Sequence, residues 1–425
     1  MNEFNLSTLD EEQRAVVLSS SSNILVAAGA GSGKTRVLTE RIKYLLRMGI
    51  EPHNIVAFTF TNMAADEMKS RLKDVEGIGD AFVGTMHAFA HKVYHNGGYK
   101  FTMLNDQTYQ LVMEEILNKP HNSALTIKRW LQYMDVEKDV KKGRKDASAL
   151  SDFLYPSEKA VLYNCGDEFT AICERDNIIT FEQLLEYAKE YYETLGANIE
   201  YLLVDEFQDI CPDEYKFITA LNANNYFFVG DDWQSIYGFK GGDVNIFNKL
   251  AKDPTFSTYY LQNNYRNASR IITLADRVID QVQNKVDKAI VGMNPQEGLV
   301  SIAQMSNKMR IANILNNDKN NWCDWFVLTR TNREAYTLAD LLDDQGVNYC
   351  FINRSEMSLE EIEEALKLNL VKIMTVHAAK GLESKKVILY GRFPLQQPSY
   401  MRNEEERKVM YVGITRAIEK LYIFN

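Results

Sequence analysis

The chain has little that could staple it and nothing long enough to anchor it. Only 5 of its 425 residues are cysteine. They stand at 165, 173, 211, 323 and 350, odd in number, scattered and without a Cys-x-x-Cys pair, so neither a disulfide framework nor a zinc ribbon is suggested. Reduced, partly buried thiols are expected. No apolar run approaches the roughly 20 residues of a membrane span, and the polar stretch from Met1 to Asp10 lacks signal-peptide architecture. A cytoplasmic protein is expected. A basic excess is missing too: the formal net charge of −10 argues against coating duplex DNA through global positive charge. A locally basic groove remains open, so any nucleic acid is expected in a channel. Repeats and low-complexity tracts are absent. What remains, 45% hydrophobic and 25% charged, is an ordinary globular composition over a length that suits two or three domains.

The most informative stretch is Gly29-Ala30-Gly31-Ser32-Gly33-Lys34-Thr35, directly after the apolar run Ile24 to Ala28. A strand feeding small residues and then a helix brings backbone N–H groups and a positive dipole end to phosphate oxygens. Lys34 then reaches the β- and γ-phosphates, and Thr35 offers a hydroxyl to Mg²⁺. The strict pattern has Gly where this chain has Ala28, so the match is to a relaxed form. The following helix is expected over Val37 to Met48, closed by Gly49.

Short β-branched or aromatic runs alternate with amphipathic segments from Asn23 onward: Ile55 to Phe60, Ala81 to Gly84, Tyr201 to Val204 and Tyr226 to Val229. That is the rhythm of a parallel α/β sheet. A second series follows at Tyr259 to Leu261, Leu299 to Ala303, Trp325 to Thr329, Tyr349 to Ile352, Val371 to Thr375, Val387 to Gly391 and Leu421 to Phe424. Two α/β cores are therefore expected. Between His91 and about Ala188 the pattern turns helical, an insertion in the first core. Its charge-dense stretch from Asp135 to Asp146, with Lys138, Lys141, Lys142, Arg144 and Lys145, reads as a solvated, flexible loop rather than a DNA-contacting patch. His87, His91 and His95 fall at helical spacing that could chelate a metal, but no acid or cysteine stands nearby at ligand spacing.

Val204-Asp205-Glu206 ends a strand, where ligands of open α/β sheets sit. One acid there can hold Mg²⁺ while its neighbour polarises an attacking water. Gln208 and Asp209 follow, and then Val229 to Phe239 places Gln234 beyond a strand end with Trp233, Tyr237 and Phe239 beside it.

With these residues in place, the chain resembles superfamily 1A DNA helicases of the UvrD/Rep/PcrA type. The motifs run in that family's order: Leu9 to Gln13 (Q motif), Gly29 to Thr35 (I), Phe58 to Ala65 (Ia) and Gly84 to His87 (Ib). Val204 to Asp209 (II), Gly230 to Gly241 (III), Asn264 to Arg266 (IV) and Thr329 to Asn332 (IVa) follow, then Thr375 to Glu383 (V) and Glu405 to Ala417 (VI). The resemblance implies two RecA-like P-loop NTPase cores with a helical insertion in the first. The first core would comprise 1–90 and 189–255, the helical 1B insertion 91–188, and the second core 256–425. The nucleotide would be ATP, held by Gln13, Ala28 to Thr35, Arg36, Tyr265 stacked on adenine, and Glu383 at the ribose. Thr35 and Asp205 would hold Mg²⁺. Lys34, Glu206, Gln234, Arg266 and Arg416 would carry catalysis, the two arginines as fingers from the second core. Phe60, Tyr237 and Phe239 with Thr61, Asn62, Thr85, His87 and His377 would line the DNA track, although aromatics of this kind also serve as core. Arg330 and Arg407 read as ion-pair partners.

Where larger relatives carry a 2B domain, only Arg333 to Val371 lies between motifs IVa and V, so no 2B domain is expected. In this and in the wording of motifs II and III the chain is most similar to the helicase IV branch. Met63, where many relatives have Lys, and Ser384-Lys385, where an aromatic is usual, depart from the pattern. The implied activity is ATP-driven 3′→5′ translocation on single-stranded DNA with duplex unwinding at junctions, by a monomer. The alternatives are a remodeller of a protein–nucleic acid complex and a helicase subunit beside a separately encoded nuclease or in a defence assembly, with a nuclease, polymerase or recombination factor as partner.

Overall fold

The computed structural model describes residues 6–75, 77–141, 148–195, 199–354, 357–394 and 404–425. It divides into two compact units, one formed by Met1–Met86, Asn198–Arg330 and Glu334–Asn425, the other by His87–Ala197 with Thr331–Arg333.

The larger unit contains two six-stranded sheets. In the first, the spatial order is Phe82–Thr85, Ile55–Thr59, Tyr201–Val204, Asn225–Gly230, Asn23–Ala28 and Ser257–Leu261, every pair parallel. The central strands are buried on both faces, which is why Ile24 to Ala28 and Ile55 to Phe58 are continuous apolar runs rather than alternating ones. Helix Lys34–Arg47 buries Val37, Leu38, Ile42 and Leu45 against them. Each such side chain stabilises by about 1.5–3 kcal/mol relative to exposure.

The second sheet runs Leu299–Ala303, Ala417–Phe424, Ser384–Tyr390, Trp325–Thr329, Val371–Thr375 and Tyr349–Phe351, again all parallel. Helix Asn332–Asp344, strand Tyr349–Phe351 and helix Leu359–Lys367 occupy the stretch before Val371, and that strand is the sheet's edge.

One strand belongs elsewhere than the sequence rhythm placed it. Tyr259 to Leu261 was expected to open the second series, but Ser257–Leu261 closes the first sheet, paired from Ile24↔Ser257 to Ala28↔Leu261. It covers the edge that Asn23–Ala28 would otherwise leave open, and the Gly29 N–H extends the ladder to the Leu261 carbonyl at 2.9 Å. The first core therefore continues past residue 255.

The second unit packs helices Asp106–Leu117, Ile127–Lys141 and Pro156–Arg175 around Val112, Ile116, Leu125, Trp130, Cys165 and Ile172, and adds helix Phe181–Leu195, which buries Leu184, Leu185, Ala188 and Tyr192. A short parallel pair joins Thr102–Met103 to Ile178–Ile179. The charge-dense stretch, expected as a loop, is helical through Lys141, because Trp130, Met134 and Val136 pack inward and hold that helix down. Lys142, Arg144, Lys145 and Asp146 lie outside the described residues. Among the described residues no helix is long and apolar enough to cross a membrane.

Candidate nucleotide and nucleic-acid site

The phosphate loop hangs from the carboxyl end of strand Asn23–Ala28. Gly31 and Gly33 take φ of +65° and +84°, a left-handed backbone that L side chains resist. A Cβ on Gly31 would also lie 2.7 Å from that of Arg266, so the loop accepts no larger residue there. Ser32 braces the turn by donating to the Gly29 carbonyl at 2.8 Å. Ala28 and Ala30 are buried, the latter among Trp233, Ile236 and Ala268. Helix Lys34–Arg47 then begins at Lys34, earlier than the Val37 expected, with Gly33 as its N-cap.

Asp205 and Glu206 follow strand Tyr201–Val204 beside the loop. The Thr35 hydroxyl donates to Asp205 Oδ2 at 3.3 Å. Glu206 sits at φ +49°, an unusual conformation for a non-glycine residue, held by its own N–H on Asp205 Oδ1 at 2.9 Å. Burial and the Glu206 charge push the Asp205 carboxyl up. Burial also opposes ionisation of Glu206, but Lys34 and Lys380 outweigh it and hold that group below the usual carboxylate range. The Thr35 hydroxyl and the neighbouring carboxylates form an oxygen-rich donor set that suits a small hard cation.

Gln234 lies in the turn Asp232–Gln234 after strand Asn225–Gly230. Its amide oxygen accepts from Arg416 Nη2 at 2.8 Å, and its amide nitrogen donates to Asp231 Oδ2 at 2.6 Å. Arg416, 1% exposed, also donates to the carbonyls of Val412 and Leu382. Burial, then the neighbouring Arg266, lower its pKa to about 9. Arg266 is ion-paired with Glu383.

Tyr265 is half exposed, bonded through its hydroxyl to Asp10 and through its N–H to the Gly31 carbonyl at 3.0 Å. Gln13 is buried: its amide donates to the Ser32 carbonyl at 2.9 Å and closes a capping box with Asp10. Gln13 and the Tyr265 backbone are thus both tied to the loop. Arg36 reaches the Thr8 carbonyl at 2.8 Å.

Among the expected DNA residues, Phe60, Tyr237, Phe239 and His377 come together. Phe60 stacks on Tyr237 with centroids 5.7 Å apart and planes 10° apart. Tyr237 neighbours Phe239 and His377, and Phe239 meets the His377 ring edge-on at 5.3 Å. Phe239 is 65% exposed. Phe60 and His377 follow strands of different sheets, so the row crosses from one core to the other. Thr61 caps helix Asn62–Leu72, Asn62 is exposed at its start, and Thr85 ends the neighbouring edge strand in register with Thr59. His87 belongs to the helical unit, where it packs edge-on against Phe181.

Several linked groups were not singled out by sequence. Lys380 is ion-paired with Asp209, donates to the Gln234 carbonyl at 2.8 Å and lies 4.9 Å over the Tyr237 ring. Lys288 is buried against Asp231 and Asp232. Lys380 stood inside a recognised motif and could have been found; Lys288 stands in no motif. Arg330 pairs with Glu406, as an ion-pair reading of that arginine expects.

Comparison with known proteins agrees with this architecture. The family model described as the UvrD/REP helicase N-terminal domain matches residues 9–255, and that of the UvrD-like helicase C-terminal domain matches residues 349–425. A probable DNA helicase of Mycoplasma pneumoniae is 28% identical over 98% of this chain and 83% of its own. DNA helicase II of Escherichia coli is 31% identical and the ATP-dependent DNA helicase PcrA of Bacillus subtilis 29%, each over 85% of this chain. The chain spans only 54% and 52% of those two proteins. With one family model matching more than half of the chain and motifs I to III on the strand ends of one parallel sheet, the chain belongs to the UvrD/REP helicase family.

Proposed function

We propose that the protein is an ATP-driven DNA motor that moves 3′→5′ along a single strand and unwinds duplex DNA ahead of it. The observation that carries this reading is the bond from Arg416 to Gln234, which puts a second-core guanidinium beside the loop, Lys34 and Glu206 of the first. In this reading the amides of Gly29 to Gly33 and Lys34 bind the β- and γ-phosphates, and Tyr265 stacks on adenine. Glu206 orients and deprotonates the attacking water, and Arg266 and Arg416 neutralise charge developing on the phosphoryl oxygens. Glu383, now paired with Arg266, would exchange that partner for the ribose. Thr35 and Asp205 would hold Mg²⁺, which when bound offsets phosphate charge.

Hydrolysis can be felt by the strand because the same segments reach both sites. Gln234 and Tyr237 are three residues apart in sequence, and Lys380 touches the Gln234 carbonyl and the Tyr237 ring. Base stacking on Phe239 and its neighbours is sequence-tolerant and contributes about 1–3 kcal/mol per base. The helicase names of the relatives and the family match support DNA as the track. The test is ATP turnover with and without oligo-dT, followed by unwinding of 3′-tailed, 5′-tailed and blunt duplexes. Stimulated turnover with unwinding of the 3′-tailed duplex alone is expected; unwinding from the 5′ tail alone overturns the polarity, and turnover indifferent to DNA overturns the motor.

A further inference from the structure

Lys288 lies on the segment that leads from helix Ser269–Ile279 back toward the first core. Nothing in its sequence neighbourhood, Gln283-Asn284-Lys285-Val286-Asp287-Lys288-Ala289, marks it out from a solvated loop. Its side chain is nevertheless wholly buried. The ammonium donates to Asp231 Oδ1 at 2.7 Å, Asp232 Oδ1 at 2.8 Å and the Ala28 carbonyl at 3.0 Å, so all three of its hydrogens are used. It also lies 4.6 Å over the Trp233 ring. The same segment is fastened again at Val286: its N–H donates to Asp232 Oδ2 at 2.7 Å, and its carbonyl accepts from Trp233 Nε1 at 2.9 Å. Burial opposes the charge on Lys288, but the two aspartates outweigh it and raise the group above the usual lysine range.

Asp231 Oδ1 accepts from Lys288 at 2.7 Å and, more weakly, from the Trp233 N–H at 3.2 Å, while Oδ2 faces Gln234. A carboxylate only accepts and a guanidinium only donates, so an amide between Asp231 and Arg416 has one satisfactory orientation: nitrogen to Asp231, oxygen to Arg416. If Asp231 rotates or protonates, that orientation is no longer enforced and Arg416 can meet an NH₂ group. We propose that Lys288 is a positioning residue for ATP hydrolysis: by anchoring Asp231 it fixes the Gln234 amide so that its oxygen, not its nitrogen, meets Arg416. The third bond of the ammonium goes to the Ala28 carbonyl, in the strand that precedes the phosphate loop. This rests on the assignment of Gln234 and Arg416 to the γ-phosphate.

The test compares the full chain with Lys288→Met, Asp231→Asn and the double variant Lys288→Met/Asp232→Asn, which keeps the buried charge balance of the wild type. ATP turnover with oligo-dT, the KM for ATP and the equilibrium affinity for ADP are measured on each. The positioning role predicts kcat lowered at least about ten-fold while ADP affinity stays within about three-fold, because ADP offers nothing to the sensor. A merely structural tie lowers ADP affinity and kcat together, and that result overturns the proposal. So does a folded Lys288→Met or double variant whose kcat remains within about three-fold of wild type. Should neither lysine variant fold, Asp231→Asn decides alone, since it keeps the ammonium and Asp232: wild-type turnover there also overturns it. Absence of ATP turnover in the wild type would instead count against the reading of the site as an ATPase, leaving the two failures distinguishable.

Discussion

Arg416 Nη2 lies 2.8 Å from the side-chain oxygen of Gln234. One residue joins the last helix of the second core to its last strand, and the other follows a strand of the first. The contact joins a residue of each core, and in the proposed reading both meet the γ-phosphate.

Arg416→Ala is expected to slow hydrolysis by about 10³–10⁵, the range of arginine fingers, while ATP still binds. Because Arg416 is buried, Arg416→Lys serves as a control for packing: it restores a charge without the planar fork. Single-turnover hydrolysis separates the two effects, and wild-type rates in Arg416→Ala would remove the residue from the chemistry.

Lys34→Ala should abolish ATP turnover, and Glu206→Gln should bind ATP yet fail to turn it over. The pair discriminates binding from chemistry. Glu206 is held ionised by Lys34 and Lys380 against burial, so the amide loses a base and a charge at no cost in volume. Equilibrium ATP binding beside steady-state turnover checks both.

Phe239→Ala is expected to weaken single-strand binding by about 1–3 kcal/mol with little change in melting temperature, since the ring is 65% exposed. Tyr237→Ala should cost stability as well, because that ring packs against Phe60 and lies beneath Lys380. Fluorescence-anisotropy titration of oligo-dT and thermal melts of both variants make the comparison; equal loss of stability in the two would make Phe239 a packing residue only.

Burial, reinforced by the Arg330 charge, lowers His377 to about 4. Between that value and the ordinary value of about 6.5 the unfolded chain binds a proton that the folded chain does not. The contribution of His377 is therefore complete above about pH 6.5 and is lost as pH falls toward 4. Melting temperatures of the wild type and His377→Gln from pH 7 to 5 should diverge, the wild type falling faster; parallel curves would contradict it.

Much of the fold was legible because parallel strands buried on both faces leave unbroken apolar runs, as at Ile24 to Ala28 and Trp325 to Leu328. Glycines at the loop and acids at a strand end marked the candidate site for the same reason: the backbone there demands those residue types. Pairing was not legible. Ser257–Leu261 looks like any strand, and only the open edge of Asn23–Ala28 decides where it goes. Lys288 was invisible for a related reason, since its three partners are distant in sequence and a lysine among polar neighbours reads as solvated. Phe60 and Tyr237 belong to one expected track in the sequence, but their direct stacking on each other is visible only in the folded chain.

The strand Ser257–Leu261 has a mechanical consequence. At Leu261 the chain is still hydrogen-bonded into the first sheet, and by Asn267, which donates to the carbonyls of Thr415 and Ala417, it is fastened to the second core. The intervening segment carries Tyr265 and Arg266, with the Tyr265 N–H bonded to the phosphate loop. In the proposed reading, a twist of one core against the other would bear on the torsion angles of residues that also hold the nucleotide. Axle and handle are the same short piece of backbone, so stiffening it, for example by Asn263→Pro, should jam stepping more than it weakens grip.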